Sequence, residues 1–250
     1  EGESETAYGL RVANELEDAL QRVGPRRVIA FVAETVVGAT IGAVPAVPGY
    51  FRRVREICDK HGILLIFDEV ITGFGRMGTP FAADYFGVVP DIVTMAKGIA
   101  GGMPLGAFTA RADLMSWPPG SHASTFGGNP VCCRAALAVL DLVEREYMQN
   151  AVERGAQLKS ALQRMVEDPA TGLADPRGIG LMQAVDVVTA AGPDPARRNA
   201  VVQSAFEHGL LLLGCGKAAI RFCPSLCVTA AEVDTAVELF ERVCRKVAAG

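Results

Sequence analysis

Several things are scarce in this sequence. Only three histidines and one tryptophan occur in 250 residues, and no pair of the seven cysteines has the CxxC spacing. Too few ligands of the right spacing are left for a structural zinc site. An odd cysteine count without a framework pattern also argues against disulfides and for buried, reduced thiols. No apolar stretch approaches the roughly 20 residues of a membrane span. No Lys/Arg run appears and the net charge is −4, so the basic face that grips nucleic acid is missing. No GxGxxG directly follows a strand, and GxxxxGK[ST] is absent, which removes both common nucleotide-phosphate signatures. Internal repeats and low-complexity tracts are absent, and the opening residues Glu1-Gly2-Glu3-Ser4-Glu5 do not read as a signal peptide. A membrane-free, cytoplasmic protein is expected.

Half the residues are hydrophobic and 21% are charged, a balance that supports packed cores. Apolar spacing predicts a helix over Val12–Val23, stopped by Gly24-Pro25, and another over Gly49–His61, closed by Gly62. Three short apolar runs read as buried strands: Arg27–Ala33, Ile63–Phe67 and Asp91–Ala96. A helix near Phe81–Phe86 separates the last two. Strand and helix in alternation predict a parallel sheet with covered faces, with Pro104–Thr109 as a further strand. From Pro130 a helical stretch begins. Past Tyr147 the pattern becomes α+β: a helix over Ala151–Val166, a loop over Asp168–Arg177 and a strand over Gly178–Val188. A helix at Ala196–His208, strands near Leu210–Leu213 and Ala219–Cys223, and a last helix over Ala230–Val247 follow. Two domains are expected, 1–147 and 148–250.

Each of the three apolar strands delivers a charged residue to its carboxyl end: Glu34, Asp68 and Lys97. Open parallel sheets bind ligands there. A charged group at the end of an apolar strand is costly unless something pairs it. Taken singly, Lys97 is as well explained by a surface lysine at a helix start, and Asp68 by a turn carboxylate ahead of Val70-Ile71-Thr72-Gly73. Taken together, an amine and a carboxylate at the ends of separate strands with one helix between them suit a pyridine aldehyde: one forms a Schiff base, the other faces the ring nitrogen.

Three segments then carry a resemblance: LLIFDEVITGFGRMG (Leu64–Gly78), PDIVTMAKGIAGGMPLGA (Pro90–Ala107) and GSHASTFGGNPV (Gly120–Val131). RGIGLM (Arg177–Met182) and IRFCPSL (Ile220–Leu226) extend it. In order and spacing they resemble the class III, pyridoxal-phosphate-dependent aminotransferases of the 4-aminobutyrate, ornithine and acetylornithine type, over nearly the whole chain. The resemblance implies an α/β fold: part of the large domain of a fold-type I transferase, followed by the small α+β domain. It implies pyridoxal 5'-phosphate as cofactor, bound to Lys97 as a Schiff base, with Lys97 also moving the substrate proton. Asp68 would pair with the ring nitrogen and Val70 would pack on a ring face. Thr125 would reach the phosphate of the other subunit's cofactor across a homodimer interface. Arg221 would take the substrate carboxylate as a bidentate pair. Amino acids and 2-oxo acids are the substrates implied, with racemase, epimerase and decarboxylase chemistry, or a non-catalytic piece, as alternatives.

The sequence departs from the family pattern at four points. Glu-Pro at the first strand end is Glu34-Thr35; the glutamate that relieves the carboxylate-binding arginine falls at Ala39; a glutamine near the ring is Ile71; and the tail's Pro-Pro is Pro224-Ser225. Family members are much longer. The Gly-rich helix entry that cradles the phosphate, and the aromatic residue stacked on the ring, are expected upstream of Glu1. The chain by itself is therefore expected to bind the cofactor poorly and to transaminate little.

Overall fold

A computed structural model describes residues 2–249, and these divide into two units. The first takes the chain up to Thr35, Ala46–Phe74 and Thr79–Glu144; the second takes Val36–Pro45, Gly75–Gly78 and the chain from Arg145 on.

The first unit opens with helix α1, Glu5–Val23, capped by the Ser4 hydroxyl, which accepts from the Ala7 amide. That cap starts the helix seven residues ahead of the apolar pattern, because a side-chain acceptor satisfies an end that periodicity does not mark. Pro25–Arg27 form a 3-10 turn, so strand β1 is Ala30–Glu34, displaced toward the carboxylate. Helix α2, Tyr50–His61, ends on Gly62 at φ 66°, the left-handed cap a glycine adopts without strain. Strand β2, Leu64–Asp68, then runs parallel to β1, with Glu34 opposite Asp68. Helix α3 is Ala82–Phe86, strand β3 is Ile92–Met95 and strand β4 is Ala107–Ala110. The sheet order is β1-β2-β3-β4, the first three parallel and β4 antiparallel. Helix α4, Pro130–Leu142, is capped by the Asn129 side chain.

The β2 residues Leu65 and Phe67 are fully buried on one sheet face, against Phe51, Val54 and Ile57 of α2 and Ala13 and Leu20 of α1. Phe51 meets Phe67 and Phe86 edge-on, at 4.8 and 5.3 Å between ring centroids. Each such side chain contributes about 1.5–3 kcal/mol by leaving water. Asp91, just ahead of β3, ties the opposite sheet end together. It accepts from the Leu65 amide at 2.7 Å, from Arg55 at 2.8 Å and from Arg111 at 2.6 Å.

In the second unit, helix α5 is Met148–Glu167, strand β5 Leu173–Ile179, strand β6 Met182–Thr189 and helix α6 Pro195–Glu207. Strands β7, Leu213–Cys215, and β8, Ala219–Phe222, and helix α7, Ala230–Ala249, complete it. The antiparallel order is β7-β8-β6-β5. Where the sequence predicts a loop and then one strand over 178–188, the structure has a hairpin. Its two-residue turn holds Gly180 at φ 53°, and Pro176 lies in β5, an edge strand that bulges between Ala174 and Arg177. An edge with a bulge is where a proline costs no ladder bond. Val185, Val187, Ile220 and Phe222 face the helices, packing on Leu158, Leu162, Val201 and Phe240. Ala184, Arg177 and Arg221 are directly paired across β5, β6 and β8 and so share the other face.

Candidate active site

The register sets the rim of the first unit. Asp68 ends β2 opposite Thr94 of β3, and the Glu69 amide donates to the Thr94 carbonyl at 3.0 Å. Lys97 follows three residues past Thr94, so amine and carboxylate leave neighbouring strands at the same end. Asp68 Oδ1 accepts from the Val70 amide at 3.0 Å, which starts the turn and places Val70 beside the carboxylate.

Lys97 has φ 47°, a left-handed conformation for a residue with a Cβ. That costs roughly 1 kcal/mol and persists only where neighbours enforce it. Here they do: Ile99 and Ala100, buried, anchor the 3-10 turn Lys97–Ala100, which packs on α4. The lysine itself stays exposed.

The Lys97 side chain has no hydrogen bond or ion pair with any described residue, and the Asp68 carboxylate bonds only the Val70 amide. Opposite charges at adjacent strand ends that do not bond each other leave room for a group that meets both. A planar ring with an aldehyde at one position and a protonated nitrogen across from it fits that demand, so these residues suit pyridoxal phosphate. Thr125 lies in the same unit, in an exposed bend. Its neighbours His122, Ala123, Ser124, Gly127 and Gly128 line an open cavity of about 840 Å³ together with Thr94, Met95 and Phe108.

Beneath the rim the structure adds residues that sequence reasoning passed over. Glu69 is completely buried and accepts from Thr72 and from the Ala82 and Ala83 amides at 3.1 and 2.7 Å. Burial pushes its carboxyl above the usual range, against the pull of the Thr72 hydroxyl and the two amides. Its adjacency to Asp68 was the available signal, but a strand-end Asp-Glu pair does not say which carboxylate turns inward.

In the second unit, Arg221 keeps Nε and Nη1 buried without a hydrogen-bond partner among the described residues. Unmet guanidinium donors are rare, because each costs about 1–3 kcal/mol. Burial pushes the Cys215 thiol up, while Arg221, Arg198 and Arg177 act in the opposite direction. Arg177, in contrast, is saturated. It donates to the Gly42 and Ile41 carbonyls at 2.8 and 3.1 Å and to Asp186 at 2.9 Å, and it also pairs with Asp175.

The class follows from comparison with known proteins. The model of the aminotransferase class-III family matches residues 2–244, and the chain belongs to that family. Among curated relatives, acetylornithine aminotransferase of Nostoc sp. is 43% identical over 227 residues, 90% of this chain and 52% of that protein. That of Methanosarcina mazei is 41% identical, over 90% of this chain and 54% of its own length. The chain thus spans about half the length of the curated relatives it matches. Among solved structures, an omega-aminotransferase from Paracoccus denitrificans superimposes with a TM-score of 0.91 at 31% identity, over 100% of this chain and 58% of that one. A thermostable (S)-enantioselective omega-transaminase from Thermomicrobium roseum gives 0.90 at 36% identity, over 99% and 57%. The expected fold class stands: part of the large domain of a fold-type I transferase with its small α+β domain. These relatives are all named as aminotransferases, so the racemase and decarboxylase alternatives lose support. No helix among the described residues is long and apolar enough to cross a membrane.

Proposed function

We propose that this chain carries the lysine half of a pyridoxal-phosphate-dependent aminotransferase, one that moves an amino group from an ω-amino acid to a 2-oxo acid. The single observation that carries the proposal is the rim of the first unit, where a Lys97 side chain unpartnered among the described residues and an Asp68 carboxylate bonded only to a backbone amide end adjacent parallel strands. The ω-amine donor is supported by relatives named for acetylornithine and for omega-transamination.

Pyridoxal phosphate, when bound, supplies the aldehyde and the electron-accepting ring. Lys97 would provide the attaching amine and the base for the proton on the carbon that bears the reacting amine. Asp68 would accept from the ring N–H and hold that proton in place. Val70 would pack on a ring face and keep water from it. Thr125 would donate its hydroxyl to a phosphate oxygen, which in a homodimer would be the partner subunit's. Arg221 uses the two donors that the fold leaves unpaired to bind and orient a substrate carboxylate.

The test is covalent. After incubation with pyridoxal phosphate and reduction with borohydride, digestion and mass spectrometry are expected to find the pyridoxyl group on the peptide holding Lys97. Lys97→Ala is expected to abolish it. A label elsewhere, or equal labelling of the variant, overturns the assignment. Amine transfer from an ω-amino donor to a 2-oxo acid, followed chromatographically, tests the reaction type.

A further inference from the structure

Three of the six buried polar residues among the described ones, Thr35, Thr72 and Glu69, are joined in series by hydrogen bonds. Thr35, immediately after β1, is 1% exposed, as is Thr72, and Glu69 is 0%. The Thr35 hydroxyl donates to Thr72 Oγ1 at 3.1 Å, and the Thr72 hydroxyl donates to Glu69 Oε2. Glu69 accepts at both oxygens, from Ala82 through Oε2 and from Ala83 through Oε1. A carboxylate only accepts, so the chain has one direction, and each hydroxyl polarises the next.

The ends of this chain matter. Glu69 is the residue after Asp68 and the one before Val70. Thr72 closes the same turn, where the Gly73 amide also donates to the Glu69 carbonyl at 3.0 Å. Thr35 follows Glu34, which the register sets opposite Asp68. The buried hydroxyls therefore clamp the Asp68–Thr72 turn between the end of β1 and the start of α3. A side chain without a hydroxyl at position 35, proline included, has no donor to offer Thr72.

We infer that Thr35, Thr72 and Glu69 are positioning residues, a buried relay that aims the Asp68 carboxylate and the Val70 side chain at the ring. The inference rests on the proposed function for the identity of the ring, and its mechanical part stands on the hydrogen bonds alone.

The experiment has two arms. The first is a double-mutant cycle on pyridoxal phosphate affinity, read by fluorescence. Thr72→Val is expected to weaken binding about tenfold in the wild-type background and less than about twofold in the Asp68→Asn background. Equal losses in both backgrounds would make the relay a scaffold only and overturn the inference. Thr35→Ser is expected to match wild type where Thr35→Val loses about threefold; a serine variant that behaves like the valine one has the same consequence. The second arm needs no cofactor: amide hydrogen exchange by NMR. In Thr72→Val, exchange at Val70, whose amide donates to Asp68, is expected to rise about tenfold, with the Leu65 amide on Asp91 unchanged as control. Should wild type form no Lys97 adduct, the proposed function falls and this arm decides alone: unaltered exchange at Val70 ends the inference.

Discussion

The two units present charge in opposite ways. In the first, Lys97 and Asp68 sit where parallel strands run out, on backbone that is strained or braced by buried hydrogen bonds. In the second, Arg221 sits within a short antiparallel strand, on the face away from the helices, with two donors unmet. Strand ends can project a group into an open rim and hold it by the loops that follow, which suits bond making. A sheet face offers a flat, laterally fixed position, which suits holding a carboxylate. On the proposed function, the difference separates a reacting pair from a recognising residue, and it can be broken experimentally.

The largest effect belongs to the rim. Lys97→Ala is expected to remove all borohydride-trapped pyridoxyl label while leaving the thermal unfolding temperature unchanged or slightly raised, since alanine at that position loses no partner. A chain that labels as before has its reacting amine elsewhere, and the contrast between the units collapses.

Next comes the brace at the far end of the same sheet. Asp91 is 5% exposed and holds two arginines and a backbone amide. Asp91→Asn removes a buried charge whose arginine partners are partly exposed and is expected to cost about 1–3 kcal/mol, measured by urea unfolding. Burial works against the ionised carboxyl, yet the Leu65 amide, Arg55 and Arg111 hold it below its ordinary range. A depressed folded value means stability that is present above the unfolded carboxylate range and lost as pH falls through the folded one. The wild type should therefore weaken in acid, and the asparagine variant should weaken less steeply. Parallel pH curves for the two would assign the acid sensitivity elsewhere.

How much of this was legible beforehand follows physical lines. The parallel strands and their terminal charges were readable because the strands appear as continuous apolar runs that stop abruptly at Asp68 or Lys97. The hairpin Leu173–Thr189 was not, because its turn depends on Gly180 adopting positive φ and its edge strand contains Pro176, which reads as loop. Arg221 was legible only through its motif: nothing in IRF says that two guanidinium nitrogens are buried without partners. The Thr35–Thr72–Glu69 chain was out of reach altogether. It joins residues 37 positions apart in sequence, and threonines beside strand ends are ordinarily solvated or caps.

Arg221 supplies a prediction of opposite sign. Two buried donors without acceptors are a burden on the folded state, so Arg221→Met is expected to stabilise the chain by about 1 kcal/mol in urea unfolding. The same change should weaken competition by a carboxylate-bearing substrate analogue about a hundredfold, since a bidentate charged pair is lost. A variant that is both less stable and unaltered in carboxylate binding would make Arg221 a structural residue and remove the recognising half of the comparison.

The smallest expected effect lies between α1 and α2 of the first unit. Glu17 of α1 accepts from Lys60 at 2.8 Å and His61 at 2.9 Å, both in the last turn of α2. Hydrogen bonds from Lys60, His61 and Gln21 hold its carboxyl down to about 2, against an ordinary value of 4.5. With the folded value depressed, the link is complete above pH about 4.5 and fades toward about 2. Solvent and salt screen such pairs, so Glu17→Gln should lower stability only slightly at neutral pH, and less in high salt. Below about pH 2 the two proteins should coincide. Because this clamp joins α1 to α2 and touches nothing at the rim, the variant should leave Lys97 labelling unchanged. Loss of labelling in Glu17→Gln would mean that the helices behind the sheet control the strand ends, and that the rim is less self-supporting than its hydrogen bonds imply.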